Sequence, residues 1–192
     1  MNIVISGGRV IDPANSLDKN TTLYISDGVV KAIGRKPRGF EADREIDAKG
    51  MVVCPGLVDL CARLREPGAT RKGNIRSETR AAVAGGITTV CMPPDTKPVL
   101  DTPSVLELIR NRTEEAGMAK VVALGALTKG LNGEDISEMA SLKNAGCVGV
   151  SDGGKPVASS LVMRRVMMYA TTFDLTIFLT PQDPWLREGC AH

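Results

Sequence analysis

Residues 55–68 read Pro55-Gly56-Leu57-Val58-Asp59-Leu60-Cys61-Ala62-Arg63-Leu64-Arg65-Glu66-Pro67-Gly68. A largely apolar run of strand length, Leu57 to Leu60, leaves a Pro-Gly pair and runs into a second one, the punctuation of a buried strand ending in a turn. The same grammar then repeats. Ser77 to Ala84 reads as a helix closed by Gly85-Gly86, and Thr88 to Met92 as the next strand. Ser104 to Ala116 is a helix with Ser104 or Thr102 as its cap and Gly117 just past its end. Strand Val121 to Ala126, helix Ser137 to Asn144, strand Val148 to Ser151, helix Ser160 to Ala170 and strand Thr176 to Leu179 follow. Repeated βα units of this length call for a parallel sheet with right-handed crossovers.

Upstream the texture differs. Residues 1–53 break into short runs, Asn2 to Ser6, Thr21 to Ile25, Val29 to Ile33, Arg44 to Ile46 and Met51 to Cys54, separated by Gly, Asp, Asn and Pro. This spacing predicts a small antiparallel β-sandwich segment, and Asp27-Gly28 before Val29 is a hairpin signal. The expected division is therefore a sandwich segment at 1–53 and a partial barrel at 54–192.

Several motifs in order resemble the dihydroorotases of the cyclic-amidohydrolase superfamily. They are Ile11-Asp12-Pro13, Leu64-Arg65-Glu66-Pro67-Gly68, Ala84-Gly85-Gly86-Ile87-Thr88-Thr89-Val90, Met92-Pro93-Pro94-Asp95-Thr96, Gly125-Ala126-Leu127-Thr128-Lys129-Gly130 and Ser151-Asp152-Gly153-Gly154. The resemblance implies an α/β chain forming the N-terminal part of a (β/α)8 barrel, with about five strands present. A complete barrel takes roughly 250 residues, so the expectation is a fragment of a longer chain.

The resemblance also says where the chemistry should be. In that family the first strand ends in His-x-His, because alternate strand residues share a face and two imidazoles so placed grip one metal ion. Here the two positions are Cys61 and Arg63. A guanidinium stays protonated and has no lone pair to offer. The later ligand positions align with Asp152 and with Thr180, a poor replacement for imidazole. The substrate's carboxylate is held in the family by an Arg, kept here as Arg65, and by an Asn whose place is taken, across one inserted residue, by Asp95. A carboxylate there repels a carboxylate substrate. These are degenerate metal-ligand positions (Cys61, Arg63, Asp152, Thr180) and vestigial substrate positions (Arg65, Asp95). No catalytic residue, no metal and no cofactor is expected, the zinc being lost. The chain's single histidine is His192, its last residue, and is expected to be mobile and exposed.

Composition narrows the rest. With 192 residues, 43% hydrophobic and 24% charged, the chain has the make-up of a globular protein with a real core. A net charge of +2 with three Phe, two Tyr and one Trp supplies neither the field nor the stacking surface of a nucleic-acid binder. No apolar run nears the roughly 20 residues of a membrane span, and no signal-peptide pattern opens the chain, so a cytoplasmic location is expected. Five irregularly spaced cysteines suit a reducing compartment. Cys54, Cys91 and Cys147 read as core residues, and Cys61 lacks a His or Cys neighbour with which to form a nucleophilic pair. Gly85-Gly86 reads as a helix end and tight turn, without phosphate-binding spacing. Arg71-Lys72 and Arg76 read as a solvated loop, which the resemblance places at the border of the active-site mouth.

The resemblance implies a catalytically inactive dihydroorotase homologue that acts as a structural subunit of aspartate transcarbamoylase in pyrimidine biosynthesis, with that enzyme's catalytic chain as partner and with self-association. The alternatives are an active zinc-dependent cyclic amidohydrolase with an atypical centre that includes Cys61 and Asp152, and a hydantoinase-like structural protein. One further expectation concerns charge: Arg63, standing where the metal stood, should pair with Asp152.

Overall fold

A computed structural model describes residues 1–183 and 185–186. Its contacts divide into two compact units, Met1–Pro55 and a second that begins at Gly56.

The first unit contains β1 (Asn2–Ser6), β2 (Arg9–Asp12), β3 (Leu17–Asn20), β4 (Leu23–Ser26), β5 (Val29–Ile33), β6 (Arg44–Asp47) and β7 (Val52–Val53). They form two sheets, in the orders β5-β4-β1-β6 and β3-β2-β7. Both are antiparallel but for one parallel neighbour each, β6 beside β1 and β7 beside β2. The β4–β5 hairpin turns at Asp27-Gly28, where φ is 51° and 77°, the left-handed pair that matches the twist of the flanking strands. Strands β2 and β3 escape the sequence reading because one is four residues long and the other, Leu-Asp-Lys-Asn, is polar and largely exposed. Cys54, expected in the core, is exposed at the end of this unit, a correction to its reading as a core residue.

The second unit runs β8 (Leu57–Asp59), α1 (Ile75–Ala84), β9 (Ile87–Met92), α2 (Pro103–Ala116), β10 (Lys120–Ala126), α3 (Met139–Ala145), β11 (Gly149–Ser151), α4 (Ser160–Thr172) and β12 (Ile177–Phe178). The sheet order is β12-β11-β10-β9-β8, and every pair is parallel. Strands laid down in strict chain order, each joined to the next through a helix, curl into the arc of a barrel. This is the N-terminal part of a (β/α)8 barrel with five strands.

Local chemistry sets the helix ends. Asn74 accepts a hydrogen bond from Ser77 N while Ser77 Oγ accepts one from Asn74 N, a reciprocal cap that starts α1 two residues before the Ser77 read from sequence. Helix α2 has Thr102 at its cap position, Pro103 in its first turn and Gly117 at φ 61° after its end. Helix α3 begins at Met139 because buried Ser137 instead donates its hydroxyl to the Ala126 carbonyl. The larger core packs Val90 and Met92 of β9 against Leu106 and Ile109 of α2, and a second cluster joins Leu127, Met139, Val150 and Val166.

Because all five strands run the same way, their C-terminal ends lie along one edge of the sheet. Residues 60–68 leave β8 there, 93–98 leave β9, Asp152–Gly154 leave β11 and Thr180 follows β12.

Candidate functional site

At that edge, Arg63 Nε donates to Asp95 Oδ2 at 2.6 Å. The Arg63 side chain keeps 42% of its accessibility and Asp95 27%. A pair so open to water contributes at most about 1 kcal/mol of stability. The hydrogen bond from Arg63 and the opposite charge of Asp95 raise the guanidinium above its usual value, against the lowering effect of burial. Arg63 is thus a permanent cation.

Asp152 lies elsewhere in the hydrogen-bond pattern. It is 2% exposed, and its carboxylate accepts from Thr180 N (2.7 Å), Thr180 Oγ1 (3.0 Å) and Gly154 N (2.9 Å). Such a shell satisfies a buried carboxylate without a cation. The expected Arg63–Asp152 pair is therefore corrected: Arg63 pairs with Asp95. The physical reason lies in the strand order. Strand β9 is the immediate neighbour of β8, whereas β11 stands three strands away, with its acid already turned toward β12. Two separate contacts result, one linking the first strand's end to the second's and one linking the fourth to the fifth. They approach each other through the Gly153-Gly154 turn, where a Cβ on Gly154 would come 3.2 Å from Arg63 Nη2 and one on Gly153 would come 3.4 Å from the Asp95 Cβ.

Beside the ion pair is a cleft of about 170 Å³ lined by Arg63, Arg65, Gly68, Met92, Asp95 and Lys97 among others. Arg65 has φ 65° and, like Lys97, forms no ion pair among the described residues. The loop bearing Arg65 is pinned twice. Lys97 N donates to the Pro67 carbonyl at 3.0 Å, and Glu66 Oε2 accepts from Ile75 N at the start of α1 at 3.0 Å while Oε1 lies 3.8 Å from Arg112 Nε. Lys97 is not legible as a site residue in the sequence, since a lysine between a threonine and a proline carries no chemical signature of its own. Arg71, Lys72 and Arg76 are exposed.

Cys61 is exposed and does not line the cleft; its backbone N–H is held by Asp59 Oδ1 at 2.9 Å. Cys91 is buried behind it, and burial, followed by the nearby Cys61 and Asp59, pushes its thiol up. His192 and Cys190 lie outside the described residues.

The four positions that the resemblance aligns with metal ligands, Cys61, Arg63, Asp152 and Thr180, thus present a thiol, a guanidinium, a carboxylate already bonded by three donors and a hydroxyl engaged with that carboxylate. This donor set does not fit zinc, which takes thiolate, imidazole or carboxylate and repels a guanidinium. Among the described residues no three His, Cys, Asp or Glu side chains gather as a metal site.

The sequence profile of the Dihydro-orotase-like family matches residues 50–192. The chain belongs to the dihydroorotase-like family. Within it, a "Dihydroorotase-like protein" of Pseudomonas aeruginosa is 54% identical over all of this chain and 46% of its own length. A "Dihydroorotase" of Geobacter sp. strain M21 is 43% identical over 95% of this chain and 43% of its own. The chain spans about half the length of the curated dihydroorotase-like relatives it matches. In fold it is similar to the L-hydantoinase of Arthrobacter aurescens, with a TM-score of 0.79 at 21% identity over 94% of this chain and 41% of that one. No described helix is long and apolar enough to cross a membrane.

Proposed function

We propose that the chain is part of a catalytically inactive dihydroorotase homologue that serves as a structural subunit of aspartate transcarbamoylase in pyrimidine biosynthesis. The observation that carries the inactive reading is Arg63, a fixed cation at a former ligand position, held by an acid at the position where the family binds its substrate. Activating water with zinc needs an open coordination site on a bound metal, and these side chains supply neither the donors nor the neutral space. The assembly role rests on the resemblance to non-catalytic subunits of that complex. Its physical basis is that a barrel without chemistry still presents broad rigid faces for association. The reading includes self-association, a cytoplasmic location, and no nucleic-acid or membrane partner.

The test is co-purification of this protein with the aspartate transcarbamoylase catalytic chain, together with transcarbamoylase activity measured with and without it. A stable complex, with activity that falls when this protein is absent, is the expected result. Two proteins that elute separately and a catalytic chain indifferent to its partner would count against the assembly role.

A second reading, an active zinc-dependent cyclic amidohydrolase with an atypical centre, draws support from relatives named dihydroorotase at 43% identity. Cys61 and Asp152 would be its donors. Hydrolysis of dihydroorotate by the zinc-supplemented protein would establish it, and a rate no faster than the uncatalysed one would end it.

A further inference from the structure

The misfit between these side chains and zinc has a positive side. The geometry points to the Arg63–Asp95 pair as an internal cation bridge that takes over the metal's work of tying strand ends together and shuts a metal out. Three observations converge on it. Arg63 lies four residues beyond the end of β8, at the second of the two positions where the resemblance puts the family's His-x-His, and its Nε reaches Asp95, on the turn leaving the adjacent strand, at 2.6 Å. Its Nη2 lies against Gly154 of the turn that follows β11, close enough that a Cβ there would be 3.2 Å away. The one buried acid of the old ligand set, Asp152, is turned into a separate latch by Thr180 and Gly154, so among the described residues of that set no carboxylate is left without a donor.

A metal ion bridges by accepting lone pairs, and a guanidinium bridges by donating protons. The two need opposite partners. A guanidinium at position 63 is held better by a carboxylate, which accepts with a full negative charge, than by a neutral amide, whose oxygen accepts more weakly, and Asp95 supplies that carboxylate. The two changes are then one change: Asp95 both holds Arg63 and removes the neutral group that would have met a substrate carboxylate. Gly154 completes the arrangement by leaving room for the guanidinium's outer edge. This concerns the barrel mouth alone, so failure of the transcarbamoylase association would leave it standing.

The experiment uses the purified protein in four forms: wild type, Arg63→Met, Asp95→Asn and the double variant. Each single change should lower Tm by roughly 2 °C, and the double change should lower it no further than either alone. Amide exchange at residues 95–97 and 153–154 should quicken about fivefold in Arg63→Met, with the β10 amides unchanged. Simple additivity in Tm, or unaltered exchange at those two turns, would overturn the bridge.

A second arm reads the metal directly, by calorimetric titration with zinc chloride and by zinc content after dialysis. Wild type and Cys61→His should take up no zinc, and Cys61→His combined with Arg63→His should bind about one ion per chain, using both imidazoles and Asp95, which loses its guanidinium partner in that variant. Uptake by Cys61→His alone would show that Arg63 does not exclude the metal. No uptake by the double variant would show that Arg63 does not stand where a metal fits. Either result would overturn the proposal.

Discussion

Single side chains carry most of the chemical meaning here, and the cysteines show how far position governs them. Cys54 and Cys61 are exposed, Cys91 and Cys147 buried. Burial pushes the Cys147 thiol from 9.0 up to about 12, so at pH 8 it stays protonated and unreactive. Titration with a disulfide reagent in a Cys190→Ser background should find two fast thiols in the native protein and two more only on unfolding. The same burial has a stability consequence with a definite sign. A thiol that ionises later in the folded state than in the unfolded one favours folding below pH 9. That advantage is lost as pH rises from 9 toward 12. Chemical denaturation across this range should show a steeper alkaline decline for wild type than for Cys147→Ala. The residue scale is also where reading the sequence succeeded and where it stopped. That Arg63 cannot replace an imidazole at a metal, and that Thr180 is a poor substitute for one, follows from their functional groups alone. That Arg63 chooses Asp95 over Asp152 does not, because it depends on which turn lies beside β8 and on hydrogen bonds already closed around Asp152.

Elements were legible where their periodicity is long and their ends are marked by glycine, as in α2 and in β9 and β10, and less so where a boundary depends on one side-chain bond. Helix α1 starts earlier than its sequence suggests because Ser77 is the inner half of a cap begun by Asn74. Helix α3 starts later than its sequence suggests because Ser137 turns its hydroxyl to the Ala126 carbonyl. At this scale one close junction is between the two loops that wall the cleft. Gly68 has φ 124°, and a Cβ placed on it would sit 2.8 Å from Lys97 Cβ and 3.0 Å from Lys97 N. Gly68→Ala should therefore cost about 1–3 kcal/mol through backbone conformation and displacement of the 93–98 loop. Urea denaturation would measure the cost, and a change below about 0.5 kcal/mol would mean that the loops are not held as described.

The two units differ most in how much they bury. In the first, Val10, Leu23, Phe40 and Ala48 are the only buried apolar side chains, whereas the second has two clusters, with Ile109, Leu124, Leu142 and Val150 almost wholly enclosed. Small units with little core open most readily. Hydrogen exchange should find the slowest amides in β9 and β10 and markedly faster exchange throughout β1–β6; equal protection in the two units would refute this ranking. The contrast was only partly visible in advance. Alternating βα units announce a shared core, but how little the short strands of the first unit enclose depends on how the two sheets meet.

The parallel pairings of β6 with β1 and β7 with β2 have a consequence in time. Ile3 faces Arg44 and Arg9 faces Val52, so neither sheet of the first unit can be completed until its last strands have been synthesised. The barrel arc has no such delay, since each strand pairs with the one made just before it. As the chain leaves the ribosome, the segment made first is left waiting for its own far end, while the segment made later can accumulate strand by strand.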